Sequence, residues 1–338
     1  MNRPRGKLWL PVWLLLAGLG LVRPATAPAE VEVLATTYPI YLFTRNLMAG
    51  VPGSRVSLLM GTPGCPHDYN PTPRELETLS RAEILASGGL KLDAFLERAL
   101  GVAKPGLKII DASGGLAGEP RAAPAVILDL GAARSWYRGR SQAPPGPDPH
   151  LFASLSGAMT LTLNLAEGLA RLDPAGAEIY RTNAIGLNAE YKSLLERYWA
   201  VGVKLRQPKV ILGHSVLSYL AADLGLTVAA VIEDEEEAPV SAARLSALAA
   251  LAGREGVRAV LVDPDGRLDL ARTVGAEARL PVAVIDPVTS GPDEPPADYF
   301  QKVFLTNLQV LDELFSRPPP APEEKAPAAG RPAKTGRK

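Results

Sequence analysis

The three histidines of this 338-residue chain are the side chains most suited to binding a ligand. His67 stands in the proline-rich stretch GTPGCPHDYNPTPREL, two residues after Cys65, the only cysteine of the chain. His150 follows a second proline-rich loop in PGPDPHLF, and His214 ends the apolar run KVILGH. Neutral imidazole binds borderline divalent ions near neutral pH, and three imidazoles with one carboxylate or water make a tetrahedral zinc site. The histidines are therefore candidate metal ligands.

Two aspartates are candidates for a fourth ligand. Asp286 ends the run PVAVID as His214 ends KVILGH, so both side chains should project from the same edge of a parallel sheet. Asp263, at the end of VRAVLVD, is the competing candidate, although the Asp-Pro-Asp-Gly that it begins is also typical of a turn. Three histidines and a bound water would instead form a hydrolytic zinc site, but no His-Glu-x-x-His pair is present. A zinc hydrolase is kept as an alternative.

The runs that end in these residues belong to an alternating pattern. Short β-rich runs alternate with amphipathic helical runs, which is typical of an α/β fold with parallel sheets. Candidate strands start near residues 31, 55, 83 and 107 in one cluster and near 209, 257 and 281 in another. Between the clusters, a stretch of about 30 residues without proline, ending at Leu205, predicts a helix of about 45 Å. We expect two Rossmann-like lobes with mainly parallel sheets, joined by one long linking helix.

A helix start is predicted just after His67. Thr72 can cap a helix that begins at Pro73, and Glu75 completes a capping box three positions later. His67 therefore lies in the loop that leaves the strand RVSLLMG and enters this helix. Ligands of open α/β sheets bind outside the carboxyl ends of the strands, so this loop is well placed for a ligand.

The two ends of the chain are unlike the rest. Arg3, Arg5 and Lys7 precede an apolar run from Leu8 to Val22, followed by small residues, which predicts a signal peptide over 1–29 and export from the cytoplasm. The run is shorter than the about 20 residues of a membrane-spanning helix. Residues 317–338 are rich in proline, alanine and lysine and predict a disordered tail. The predicted domains are a first lobe (30–173), the linking helix (174–206) and a second lobe (207–316).

Composition limits the partners. The formal net charge is zero, so electrostatics give no reason to expect nucleic acid. A single cysteine cannot form a disulfide within the chain, so stability has to come from core packing. We expect a monomer in which Cys65 is a free thiol without a metal role.

Four motifs, in order along the chain, resemble those of one family. They are PHDYNPTPREL (66–76), DPH (148–150), GHSVLSYLAADLGL (213–226) and VIDPV (284–288). Together they resemble the solute-binding proteins of zinc and manganese ABC transporters, which have paired α/β lobes and one linking helix. The resemblance covers most of residues 31–316. It implies that His67, His150, His214 and Asp286 bind the metal between the lobes and that the protein delivers it to a membrane permease.

The resemblance also bears on the metal. Manganese-binding members tend to have a glutamate where this chain has His214, so zinc is favoured and manganese or iron is the alternative. Many zinc-binding members have a histidine-rich loop between the first two ligands, whereas residues 131–147 contain no histidine. The acidic run EDEEE, from Glu233 to Glu237, is either a weak outer cation site near the cleft or a solvated surface.

Overall fold

The computed structural model describes most of the chain between the predicted signal peptide and the predicted tail. The described residues are 30–61, 66, 69–114, 126–129, 148–206, 208–233 and 240–316, with the backbone alone for 126–129. The predicted signal peptide (1–29), Cys65, His67, residues 234–237 of the acidic run and the predicted tail (317–338) lie outside the described residues.

The first lobe contains a five-stranded sheet in the order β2-β1-β3-β4-β5. Its strands are β1 (Glu32–Ala35), β2 (Arg55–Leu58), β3 (Ile84–Ser87), β4 (Lys108–Asp111) and β5 (Val126–Asp129). The first four pair in parallel, and β5 pairs antiparallel to β4. Consecutive residues of the central strands, such as Leu85 and Ala86, are both buried, as expected for a parallel sheet covered on both faces.

The helices of the first lobe are α1 (Tyr38–Leu47), α2 (Pro73–Arg81) and α3 (Leu96–Ala99). Helix α2 starts at the predicted residue, and the predicted capping box is confirmed. Thr72 Oγ1 accepts the Glu75 amide at 3.3 Å, and Glu75 Oε2 accepts the Thr72 amide at 2.7 Å. This reciprocal pair satisfies two of the amides that every helix start leaves free.

Two long helices follow the first lobe, α4 (Leu155–Leu172) and α5 (Ala177–Leu205). Helix α5 has 29 residues and corresponds to the predicted linking helix. Tyr180, Tyr191 and Tyr198 are fully buried along it at helical spacing. Tyr191 lies against Phe43 of α1, with ring centroids 6.3 Å apart, so α5 packs directly on the first lobe.

The second lobe contains a parallel four-stranded sheet in the order β7-β6-β8-β9. Its strands are β6 (Lys209–His214), β7 (Thr227–Glu233), β8 (Val257–Val262) and β9 (Val282–Val284). Its helices are α6 (Ser218–Asp223), α7 (Ala242–Glu255), α8 (Leu268–Ala278) and α9 (Tyr299–Ser316). The predicted α/β class with two lobes of mainly parallel sheet and one long helix between them is confirmed.

One hydrophobic core runs through both lobes. Helix α9 packs along α5, where Phe300 lies 5.3 Å from Tyr191 and Phe304 lies 6.1 Å from Tyr198 between ring centroids. The Tyr198 hydroxyl donates to the Phe304 carbonyl at 2.7 Å. The same core reaches strands β1 and β6, so one face of α5 packs on both lobes. Within the described residues, we find no helix both long and apolar enough to span a membrane.

Candidate metal centre

Two of the three histidines meet at one cavity. His214 is the last residue of β6, and His150 immediately precedes a short 3₁₀ helix, Leu151–Ala153. Their ring centroids lie 5.3 Å apart, and the ring planes are inclined by 76°. Both line a cavity of about 230 Å³ between the lobes. The other described residues that line it are Pro66, Phe152, Val216, Glu233, Asp263, Asp265, Gly266 and Thr289.

His150 is held in an orientation that suits a metal ligand. His150 is only 2% exposed. Its Nδ1 lies 2.7 Å from Asp148 Oδ1, and the same oxygen accepts the His150 backbone amide at 2.9 Å. A carboxylate only accepts, so the imidazole proton resides on Nδ1. The Nε2 lone pair is therefore the one that can bind a metal ion, in the usual carboxylate–histidine–metal arrangement.

His214 is oriented differently. Its Nδ1 accepts the Val216 backbone amide at 3.1 Å, so the neutral ring has its proton on Nε2. Binding a metal through Nε2 requires that proton to move to Nδ1, which breaks the bond from Val216. The hydrogen bond to Asp148 thus favours the tautomer of His150 that binds a metal through Nε2, whereas His214 binds through Nε2 only after a local change of its ring or of the 215–217 turn.

Asp263 and Glu233 bring negative charge to the His214 side of the cavity. Asp263 is 7% exposed, and its Oδ2 has no hydrogen-bond partner among the described residues. Burial raises the pKa of Asp263, while the nearby His214 acts to lower it. Glu233 pairs in register with His214 across β6 and β7, and burial raises its pKa against the opposing charge of Arg267. The first residue of the acidic run therefore does line the cavity.

Asp286 is not among the described residues that line this cavity. Its Oδ1 accepts the Val288 amide at 2.7 Å, and its own amide and carbonyl bind the Asn307 side chain at 3.0 and 2.7 Å. Burial raises the pKa of Asp286, and the charges of Asp265 and Asp263 raise it further, so these carboxylates lie within electrostatic range of one another. Both aspartates singled out from the sequence thus remain candidates for the carboxylate ligand.

The ends of the loop that contains His67 are tied to one carboxylate. Glu75 Oε1 accepts the Gly61 amide at 3.0 Å and the Tyr69 hydroxyl at 2.5 Å, while Oε2 accepts the Thr72 amide. Burial raises the pKa of Glu75, but these hydrogen bonds outweigh burial and hold the pKa below its usual range. The sequence predicted Glu75 as a capping residue only. Among the described residues, which exclude His67, no three potential ligands are placed together as a ready metal site.

A second cavity of about 320 Å³ adjoins the first and shares Pro66, Phe152 and Thr289 with it. Tyr38 and Tyr41 of α1 line this cavity on the side of the first lobe. The Tyr38 hydroxyl donates to the Pro292 carbonyl at 2.9 Å, which joins the first lobe to the segment after β9. The two cavities together form the cleft between the lobes.

The arrangement defines a class of protein, a two-lobed solute-binding protein with its candidate site in the cleft. The family model described as ZnuA, zinc-uptake complex component A, periplasmic, matches residues 33–314. The chain belongs to this family of metal-binding solute-binding proteins, as the four sequence motifs indicated.

Curated proteins and solved structures are similar over most of the chain. The zinc-binding protein AdcA of Streptococcus pyogenes serotype M6 is 25% identical over 305 residues, which cover 84% of this chain and 56% of AdcA. The chain thus spans about half the length of that relative. The nickel complex of the solute-binding protein FpvC of P. aeruginosa superposes with a TM-score of 0.69 at 21% identity, over 85% of this chain and 97% of FpvC. A crystal structure of ZnuA gives a TM-score of 0.66 at 23% identity, over 84% and 98%. These structures show the shared fold.

Proposed function

We propose that this protein is an extracytoplasmic binding protein that captures a divalent transition metal, zinc first, and delivers it to the permease of an ABC transporter. The observation that supports this most directly is the pair of imidazoles in the cleft, with the Nδ1 of His150 bound to Asp148, which favours metal binding through Nε2. The family description, zinc-uptake complex component, agrees with this cargo.

The proposed ligands are His67, His150, His214 and one carboxylate, with Asp286 as the first candidate and Asp263 as the second. Three imidazole nitrogens and one carboxylate oxygen suit tetrahedral zinc, whereas manganese prefers more oxygen ligands. Affinity alone does not separate zinc from copper or nickel, because the stability order places both close to zinc or above it. Metal choice therefore has to be measured by competition.

Calorimetry on the chain without its signal peptide tests the proposal. We expect one zinc ion per chain, and the variants His67→Ala, His150→Ala and His214→Ala should each bind about 100-fold or more weakly, because each removes one of four ligands. Separate Asp286→Ala and Asp263→Ala variants identify the carboxylate. Glu77→Ala, on the exposed face of α2, is the control. Parental affinity in His150→Ala would overturn the proposed site.

The remaining parts of the proposal concern catalysis and partners. We propose that the protein is not an enzyme, because a carboxylate in the fourth position leaves no bound water to activate. Hydrolysis of ester or phosphate substrates by the zinc-loaded protein, lost in His150→Ala, would contradict this. We propose a monomer that passes the metal to the permease. Zinc uptake by cells that lack this protein, restored by the parent and not by His150→Ala, tests delivery.

A further inference from the structure

The segment that contains His150 is attached to the second lobe, although it precedes the linking helix in the sequence. The Tyr219 hydroxyl donates to the Asp148 carbonyl at 2.9 Å. Asp223 Oδ2 accepts the backbone amides of Leu155 and Ser156 at 2.7 and 3.1 Å, and its Oδ1 accepts the Ser156 hydroxyl at 2.6 Å. Tyr219 and Asp223 both belong to α6, which follows His214 after one 3₁₀ turn.

The Asp223 carboxylate supplies hydrogen-bond acceptors and a negative charge at the start of α4. The first amides of a helix have no partner within the helix, and a negative charge near this end is favourable. Ser154 Oγ caps the Gly157 amide at 3.0 Å, and Asp223 accepts the two amides before it. Asp223 is 6% exposed, so its carboxylate is buried at this helix end rather than solvated.

The middle of α4 belongs to the first lobe. Asn164 Nδ2 donates to the Ala112 carbonyl at 2.8 Å, just beyond the end of β4. Gly168 packs so closely on the Ile110 side chain that a Cβ there would collide with it. Helix α4 is therefore held by the second lobe at its start and by the first lobe along its body. It is a second helix, beside α5, that connects the two lobes through packed contacts.

The residues between His150 and α4 leave little freedom for the histidine to move independently. The Ser154 hydroxyl donates to the Leu151 carbonyl at 3.1 Å. A Cβ on Gly157 would collide with the same carbonyl oxygen, so the 3₁₀ turn and the first turn of α4 are in direct contact. A displacement of the start of α4 is thus transmitted to His150.

We infer that Asp223 is a positioning residue that, together with Tyr219, fixes His150 beside His214, so that the His150 part of the metal site is preorganised. The inference rests on the proposed metal-binding function. Ligands that are already ordered bind a metal more tightly, and residues that support metal ligands are typically worth about 10–100-fold in affinity.

Two substitutions of the same residue separate positioning from charge. Asp223→Ala removes all three hydrogen bonds, and we expect zinc affinity to fall about 10–100-fold. Asp223→Asn keeps an oxygen that can accept both backbone amides, so affinity should stay within about threefold of the parent. Cobalt absorption in the visible range reports ligand geometry, and we expect its bands to change in Asp223→Ala and to be retained in Asp223→Asn.

Asp173→Ala is the matched control, because Asp173 accepts the Tyr180 hydroxyl at 2.6 Å at the other end of α4, away from the histidines. This variant should lose stability while zinc affinity and the cobalt spectrum stay parental. Tyr219→Phe, which removes a single hydroxyl, should weaken zinc binding about three- to tenfold and decides the question if Asp223→Ala fails to fold.

Parental affinity and cobalt spectrum in a folded Asp223→Ala variant, or in Tyr219→Phe if that variant does not fold, would overturn the inference. Failure of the parent protein itself to bind zinc would instead overturn the proposed function. The two failures are therefore distinguishable.

Discussion

Asp93 is a fully buried carboxylate of the first lobe that takes no part in the candidate site. Its Oδ2 accepts the Gly89 amide at 3.0 Å. Burial raises the pKa of Asp93 to about 6, against hydrogen bonds that act to lower it. An exposed aspartate has a pKa of about 3.9. The higher pKa of Asp93 means that its ionised form is less favourable in the folded state than in the unfolded state, so the charge destabilises the fold.

Asp93→Asn should therefore stabilise the protein in a pH-dependent manner. The cost of the charge is fully present above the folded pKa of about 6 and disappears as pH falls to about 3, below both pKa values, where both states are protonated. We expect the variant to gain about 3 kcal/mol of unfolding free energy at pH 7.5 and close to nothing at about pH 3. Urea unfolding at both pH values measures this, with Asp312→Asn on the exposed face of α9 as control. An equal gain at both pH values would contradict the charge argument.

The residue types of the site could be selected from the sequence, but their hydrogen bonds could not. His150 precedes a short 3₁₀ helix and His214 ends a strand. Local sequence patterns predict both kinds of position. Which ring tautomer is favoured depends on the Asp148 side chain at His150 and on the Val216 amide at His214. These contacts depend on turn geometry, which a single sequence does not specify.

The described residues on either side of the predicted His67 loop (62–68) are held by one side chain of helix α2. Glu75 binds Gly61 before the loop and Tyr69 after it, besides capping the helix. One carboxylate thus fastens both ends of the loop, so the stability of α2 and the position of the loop ends are coupled.

Glu75→Ala should loosen this loop. We expect a loss of about 1–3 kcal/mol in unfolding free energy, because several hydrogen bonds lose a shared acceptor. Zinc affinity should also fall, since both ends of the loop containing His67 are released. Because hydrogen bonds hold the pKa of Glu75 below its usual range, its contribution is present at neutral pH and is lost as the carboxylate is protonated in acid. Hydrogen exchange and calorimetry measure these effects.

Glu77→Ala provides the comparison for this variant, since the Glu77 side chain lies on the same helix and pairs with the exposed Arg81 among the contacts described. It should change neither the exchange of Gly61 and Tyr69 nor the zinc affinity. An exchange pattern in Glu75→Ala identical to that of Glu77→Ala would show that Glu75 does not control the loop.

Most strands could be predicted from β-rich runs because a buried parallel strand is continuously apolar. Strand β5 escaped prediction, since it is a short antiparallel edge strand in a region crowded with glycine and proline. The attachment of Asp148 and Ser156 to α6 also escaped prediction, because Tyr219 and Asp223 lie 71 and 67 residues away in the sequence. Local patterns predict elements, whereas contacts of this separation follow from how the lobes pack.

At the scale of the molecule, helices α4 and α5 both contact the two lobes. Helix α5 packs on Phe43 of the first lobe and on Phe304 of the second lobe. Helix α4 binds Asp223 at its start and Ala112 along its body. A hinged binding protein joins its lobes by a few residues that absorb large dihedral changes. Two packed helices do not allow such a change without breaking buried contacts.

We therefore expect the lobes to move little when zinc binds. The radius of gyration from small-angle X-ray scattering should be the same with and without the metal within error. Hydrogen exchange should fall chiefly in loop 62–68 and around His150. A clear contraction on adding zinc, or protection spread evenly over both lobes, would contradict this prediction.

The three tyrosines buried along α5 have a consequence for the release of a bound metal ion. Because opening the whole cleft would break these buried contacts, we expect it to be too rare to release a bound ion. We expect the release rate to be set instead by a local change, the exchange of the hydrogen bond between the Val216 amide and His214 Nδ1. We expect a partner that shifts the 215–217 turn to release the ion faster than the isolated protein does.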